Sequence, residues 1–152
     1  MKDDWTFYLF TDYDFTAFFP GARVLDIGCG RGNLLRKLLE RGCRPVGVEP
    51  AQDRLESCGK LGLRVLAGYA EQLPFPAATF DGVICKAVIP YTAESLALRE
   101  IARVIKAEGI AQMCYVGAGF YLRYLILGGT PRATEQKHQR IRRVFESDEP
   151  LQ

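Results

Sequence analysis

Short apolar runs alternate with amphipathic stretches through the middle of the chain. The apolar runs have the length and composition of buried strands, and they cover residues 23–27, 45–49, 64–67, 80–86 and 110–116. Helical patterns lie between them, in residues 33–41, 52–60 and 93–105. Strands that alternate with helices in this way predict an α/β fold, in which a parallel sheet carries helices on both faces.

The two ends of the chain differ from this alternating core. Residues 3–19 are rich in aromatic side chains and end at the turn signal Pro20-Gly21, so we predict one or two helices that pack on the rest. After the fifth strand, helical patterns follow in residues 118–127 and 134–145, and no further pair of strands is indicated. We therefore predict a single domain of residues 1–152, composed of an aromatic N-terminal cap (1–20), a core (21–116) and a helical tail (117–152).

Composition and charge narrow the class of protein. Hydrophobic residues make up 48% and charged residues 25%, which is the balance of a globular rather than a disordered chain. The formal net charge of +2 is too small to indicate nucleic acid or an anionic membrane as a partner. The five cysteines are odd in number and form no CxxC motif, so we expect thiols in a reducing compartment, without disulfides or metal.

No targeting or membrane-spanning segment is indicated. The N-terminus carries Asp3 and Asp4 where a secretory signal needs basic residues. The longest apolar stretch, residues 116–127, contains Arg123 and is shorter than the roughly 20 residues that cross a bilayer. We expect a cytoplasmic protein without a membrane span.

A glycine-rich loop joins the first predicted strand to the first predicted helix. Residues 26–33 read DIGCGRGN, and the glycines allow a tight turn and a close approach of a ligand to the backbone. Such a loop lies at the carboxyl edge of a parallel sheet, where these folds bind ligands. Glu49 ends the second strand, where a carboxylate can accept hydrogen bonds from both hydroxyls of a ribose. The arrangement predicts a site for an adenosine-containing ligand.

The details of the loop indicate which ligand. A dinucleotide fingerprint would place its third glycine at position 33, but that residue is Asn33 and the glycine is Gly32. Asp26, two residues before the first glycine, would repel a diphosphate and attract the ammonium of an amino acid. A ligand with a ribose at one end and an ammonium at the other points to S-adenosylmethionine rather than to a nicotinamide dinucleotide.

Several motifs carry a resemblance to a known family. Residues 24–32 (VLDIGCGRG) resemble motif I of class I methyltransferases, and residues 46–50 (VGVEP) resemble the acidic end of their second strand. Residues 68–75 (GYAEQLPF), 80–85 and 98–106 resemble three later segments of the same family, in the same order. The similarity is to the ubiquinone/menaquinone-biosynthesis-type subgroup (methyltransferase type 11) and covers about residues 21–116. It implies a Rossmann-like, doubly wound sheet with strand order 3-2-1-4-5, here lacking the usual terminal antiparallel hairpin.

The resemblance also implies roles at the methionine end of S-adenosylmethionine. Gly28, Gly30 and Gly32 would line the methionine portion of the cofactor. Asp26 would lie near its ammonium group. Lys86 would begin the segment behind the sulfonium.

At the adenosine end, the resemblance implies four further residues. Glu49 would hold the ribose, and Pro50 would lie against the adenine. Tyr69 and Ala70 would border the adenine edge. The family usually has Asp at the position of Tyr69, where it accepts from the adenine amino group, so the charged acceptor is absent here.

The acceptor and the catalytic residues stay open in the sequence. Many related enzymes place histidines after the fourth strand, but this chain has Pro90 and Tyr91 there, and His138 lies in the polar tail. We therefore name no catalytic residue and expect an unidentified small-molecule acceptor.

The edge of the fifth strand predicts either a cover of tail helices or a homodimer. The alternative functions are a non-catalytic cofactor-binding or partner-binding module and a nicotinamide-dependent oxidoreductase.

Overall fold

The computed structural model describes residues 15–114, and all of them fall within one compact unit. Their helices and strands follow the predicted order. Along the chain they are β1 (Arg23–Ile27), α1 (Asn33–Glu40), β2 (Arg44–Glu49), α2 (Gln52–Lys60), β3 (Val65–Ala67), β4 (Phe80–Lys86), a 3₁₀ turn (Ile89–Tyr91), α3 (Glu94–Val104) and β5 (Ile105–Cys114). The predicted elements are confirmed, and the largest difference is in β5, which starts at Ile105 rather than at residue 110.

The five strands form one parallel sheet in the order β3-β2-β1-β4-β5, as predicted. Successive side chains of a strand point to opposite faces of the sheet, so one strand contributes to the hydrophobic core on each face. On one face Val24 packs with Leu38 of α1. On the other face Leu25 packs with Ile101 of α3. Each of these helices therefore buries its apolar side against the sheet, where a fully buried leucine contributes about 2–3 kcal/mol.

The first described residues belong to the predicted N-terminal cap, and two of their aromatic rings pack on the core. Phe15 is buried in the same cluster as Val24 and Leu38, and Phe18 packs against it. A Cβ at Gly82 of β4 would overlap the Phe18 ring, so the ring lies directly on the sheet. Core packing, the role predicted for the aromatic segment, thus holds for these two residues.

The early start of β5 has a specific cause at its first residues. Ile105 pairs with Phe80, but Gly82 pairs with Ile110, so residues 106–109 bulge out of the ladder. Asp81 lies between these two pairs and accepts a hydrogen bond from Lys106 Nζ at 2.7 Å. The Asp81 carboxylate also accepts from the backbone N–H of Arg23 at 2.8 Å. This side chain therefore ties the start of β1 to the bulge.

A charged pair holds the loop before β4 against α3. Arg103 donates to Glu100 at 2.6 Å and to the carbonyl oxygen of Phe75 at 2.7 Å. Glu100 in turn accepts from the backbone N–H of Leu73 at 2.7 Å. Two of the sequence motifs, residues 68–75 and 98–106, thus meet through these bonds.

Some predictions fall on residues outside the described range. They concern most of the N-terminal cap, the tail helices at 118–127 and 134–145, and the missing terminal hairpin. The division into cap, core and tail and the pairing of the β5 edge with a second copy also stay predictions. Within residues 15–114, no helix has the length and apolarity needed to traverse a bilayer. No disulfide joins the cysteines, all five of which lie in this range.

Candidate functional site

A cavity of about 530 Å³ opens at the carboxyl ends of β1 and β4. These strands are neighbours, but the chain leaves β1 towards β2 and leaves β4 towards β5, so this is the point where the strand order reverses. Asp26 and Gly28 line the cavity from β1, Lys86 and Ala87 line it from β4, and Lys37 of α1 is on its other side. The topology therefore places the cavity where open α/β sheets bind ligands.

Asp26 is a buried carboxylate that faces this cavity. Asp26 is only 3% exposed, and its side chain makes no hydrogen bond or ion pair with any of residues 15–114. The net pKa of Asp26 is raised to about 7, mainly by burial. The nearby Lys86 ammonium lowers this pKa, and the Glu49 carboxylate raises it. An ionised carboxylate without a partner is costly in such a place, so a cation that enters the cavity gains a strong partner.

Lys86 carries the opposite charge into the same cavity. In the ladder Asp26 pairs with Ile84, so Lys86 lies two residues further along β4 on the same face of the sheet. It is half-buried, and its Nζ lies 5.6 Å from the centroid of the Phe15 ring. Burial lowers the pKa of Lys86, while Cys114 and Asp26 act in the opposite direction.

The glycines of the loop face different surroundings. Gly28 has φ +69°, and a Cβ there would overlap the side chain of Val88. Gly30 has φ +58° and nothing within 4 Å of where its Cβ would stand, so its backbone is open to an approaching ligand. Gly32 caps α1, and a Cβ there would overlap Leu63, so close packing with the chain itself explains this glycine. Gly28 thus lines the cavity, Gly30 lies beside open space, and Gly32 faces the interior.

Glu49 is held by the chain itself at the end of β2. Its carboxylate accepts from the backbone N–H of Gly30 at 2.9 Å and from that of Ala51 at 3.1 Å. The guanidinium of Arg54 lies 3.4 Å from the same carboxylate, and Glu49 is only 1% exposed. A carboxylate has about four acceptor positions, so these bonds leave about one for a ligand hydroxyl. Glu49 therefore fixes the glycine loop to the start of α2.

The residues assigned to the adenine lie away from the cavity. Pro50 is exposed, and Tyr69 is 66% exposed. The Ala70 side chain is buried in the core beneath α3. Ala70 as a whole is only 4% exposed, whereas Tyr69 offers an accessible ring. Like Glu49, these residues are not among the lining of the 530 Å³ cavity.

Three features near the loop were missed in the sequence. Two thiols lie under it: Cys58 donates to the carbonyl oxygen of Gly30 at 3.4 Å, and burial raises the pKa of Cys29. Arg54 pairs with Glu49, and its position five residues later, on the predicted second helix, was the available signal. Ala87 adopts φ +58°, a conformation unusual for a residue other than glycine, directly at the cavity. No sequence pattern indicated this last feature.

Comparisons with known proteins agree with the geometry. A sequence profile named Methyltransferase domain matches residues 25–113, more than half of the chain. A ubiquinone biosynthesis O-methyltransferase from Azorhizobium caulinodans is 32% identical over 135 residues, which cover 76% of this chain and 51% of that protein. This chain spans about half the length of the ubiquinone biosynthesis O-methyltransferases that it matches.

Solved structures give the same result. The YcgJ protein from Bacillus subtilis superposes with a TM-score of 0.58 at 29% identity, covering 64% of this chain and 45% of that one. A SAM-dependent methyltransferase from Thermotoga maritima, described as a possible histamine N-methyltransferase, gives a TM-score of 0.63 at 26% identity. That match covers 83% of this chain and 64% of the other.

Proposed function

The chain belongs to the methyltransferase domain family, and from this premise we propose that it binds S-adenosylmethionine and transfers its methyl group to a small-molecule acceptor. The observation that carries the proposal is Asp26, a buried carboxylate without a partner among the described residues, at the edge of a cavity. An ammonium group is the natural partner of such a carboxylate, because a charge-assisted hydrogen bond offsets its desolvation.

The remaining site residues fit the rest of this cofactor. Gly30 offers an open backbone beside the cavity, where a side chain would obstruct a ligand. Glu49 has about one acceptor position left for a ribose hydroxyl. Tyr69 presents an exposed ring and Pro50 an exposed apolar surface, both suited to the flat face of an adenine. These are the surfaces that we assign to the adenosine end.

The protein contributes mainly by positioning. S-adenosylmethionine, when bound, supplies a methyl group on a sulfonium whose departing sulfur is neutral and needs no proton. Asp26 and the glycine loop hold the amino-acid end, and Glu49 fixes that loop, so that an acceptor in the cavity meets the cofactor in one orientation. Holding two reactants in line supplies much of the acceleration of such a displacement.

The 3₁₀ turn that follows β4 reads Ile89-Pro90-Tyr91 and contributes no histidine. A general base is needed only when the acceptor must lose a proton.

The test is calorimetric titration of the full 152-residue chain with S-adenosylmethionine, S-adenosylhomocysteine and NAD. We expect the first two to bind and NAD to fail, because a diphosphate beside the Asp26 carboxylate would be repelled. Asp26→Asn should weaken binding of S-adenosylhomocysteine by about tenfold or more. The matched control is Asp53→Asn, which changes a residue whose side chain is 71% exposed and pairs with Arg31.

Each outcome of this titration decides something. Binding of NAD in place of the two adenosyl ligands would support an oxidoreductase instead. Failure of all three ligands to bind would refute the proposed cofactor and favour a partner-binding module. Equal affinities of wild type and Asp26→Asn would refute the role of this carboxylate.

A further inference from the structure

The glycine loop is in contact with a thiol from a later part of the chain. Cys58 lies near the end of α2, 28 positions after Gly30, and it is completely buried (0% exposed). Its Sγ donates a hydrogen bond to the carbonyl oxygen of Gly30 at 3.4 Å. The same sulfur would lie 3.2 Å from a Cβ at Gly32, so it also packs against the start of α1. Cys58 is not among the lining of the 530 Å³ cavity, so it contacts the loop without reaching that cavity.

Gly30 is the loop glycine that packing does not fix. A Cβ at Gly28 would overlap Val88, and one at Gly32 would overlap Leu63, so neighbouring side chains confine both of these glycines. No atom of the described residues lies within 4 Å of where a Cβ of Gly30 would stand. A glycine without such neighbours can rotate its two flanking peptide groups at little cost. Hydrogen bonds must therefore set the orientation of these peptide groups.

Two hydrogen bonds hold Gly30, one on each side of its Cα. Its N–H donates to the Glu49 carboxylate at 2.9 Å, and its carbonyl oxygen accepts from the Cys58 thiol at 3.4 Å. Glu49 thus fixes the peptide group before the Cα, and Cys58 fixes the peptide group after it. We propose that Cys58 is a positioning residue, which holds the open face of Gly30 in the orientation that the cofactor requires. The proposal rests on the function proposed above, and it adds a residue of α2 to the support of the loop.

The surroundings of this thiol keep it in the form that donates. Burial raises the pKa of Cys58, so the sulfur carries its proton at neutral pH. Cys29 lies within hydrogen-bonding reach of Cys58, and burial raises the pKa of Cys29 as well. The Cys29 sulfur is 4.0 Å from the Gly30 oxygen, so Cys58 makes the shorter contact. Buried, protonated thiols are poor nucleophiles, which suits a structural contact better than a reactive one.

The experiment titrates S-adenosylhomocysteine calorimetrically into the full 152-residue chain and three variants. Cys58→Ala removes the donor, whereas Cys58→Ser leaves a similar void but keeps a donor. Cys43→Ala is the matched control, because Cys43 is also buried (4% exposed) and its thiol donates to the carbonyl oxygen of Phe19 at 3.7 Å. Cys43 directly precedes β2, at the opposite end of this strand from Glu49. We expect Cys58→Ala to bind about fivefold more weakly or worse, and the other two variants to bind within about twofold of wild type.

Amide hydrogen exchange without ligand adds a measurement that a small void does not change. The Gly30 N–H is protected by its bond to Glu49. Once the Cys58 thiol is removed, Gly30 turns more easily and this bond opens more often. We expect exchange of the Gly30 amide to be about fivefold faster or more in Cys58→Ala, and to stay near the wild-type rate in Cys58→Ser and Cys43→Ala.

The outcomes separate this inference from the proposed function. If the wild type does not bind S-adenosylhomocysteine, the proposed cofactor is refuted, and the role of Cys58 is refuted with it. If the wild type binds but Cys58→Ala keeps its affinity or its exchange rate, only the role of Cys58 is overturned. Equal losses of affinity in Cys58→Ala and Cys58→Ser would also overturn it, because both variants create the void and only one lacks the donor. Thermal unfolding of each variant establishes that the measured chains are folded.

Discussion

The raised pKa of Asp26 predicts that Asp26→Asn gains stability relative to wild type as the pH rises, while it weakens cofactor binding. In the native protein burial raises this pKa to about 7, from the 3.8 that is usual for an aspartate in water. Between these values the native state holds a proton that the unfolded chain has lost, which favours folding. That contribution is complete below the unfolded pKa and is lost as the pH rises through about 7.

The magnitude follows from the distance between the working pH and the native pKa. At about pH 5.5, Asp26 is protonated in the native state and contributes 1.5 pH units multiplied by 1.36 kcal/mol, or about 2 kcal/mol. At about pH 8 the contribution has vanished, because the carboxylate is ionised in both states. The neutral side chain of Asp26→Asn has no such dependence. The free energy of unfolding of the variant, relative to wild type, should therefore rise by about 2 kcal/mol from pH 5.5 to pH 8.

Urea denaturation of both proteins at the two pH values, without ligand, measures this difference. Asp81→Asn is the matched control, because Lys106 and the backbone of Arg23 hold the pKa of Asp81 below its usual range. Asp81 is ionised in both states throughout this window, so its substitution should destabilise the protein equally at both pH values. A difference in unfolding free energy between Asp26→Asn and wild type that does not change with pH would refute the interpretation of Asp26 as a buried carboxylate without a partner among residues 15–114.

Two further predictions concern the glycine loop and the loop before β4. Gly30→Ala should lower the unfolding free energy by only about 1 kcal/mol, because alanine is strained in the left-handed conformation of this residue, yet it should abolish binding of S-adenosylhomocysteine. Gly28→Ala should lower it by about 3 kcal/mol, because its Cβ also overlaps Val88. Equal stabilities of the two variants in urea would contradict this contrast. Arg103→Met should lower the unfolding free energy by about 2 kcal/mol, because it removes the bonds to Glu100 and to two backbone carbonyl groups. An unchanged urea midpoint would show that the pair does not hold the loop.

The sequence motifs predict where the glycine loop and its two carboxylates lie in the fold. The glycine loop, Asp26 and Glu49 were predicted at the carboxyl edge of the sheet, and the structure places them there. The prediction was local in nature, since a strand that runs into a glycine loop and a helix is defined by consecutive residues. The contact of Glu49 with Gly30 is not predictable in this way, because the two residues are 19 positions apart in the chain.

What the sequence determined by itself is the order of strands and helices and the parallel sheet they form. Apolar periodicity and the right-handed crossover rule act over short stretches of chain and leave few topologies. Tertiary structure alone decided which charges share a cavity. Asp26 and Lys86 are 60 residues apart in the chain, and only the pairing of β1 with β4 brings them to one face. The pKa of Asp26 likewise depends on burial by residues distant in sequence, which no local pattern records.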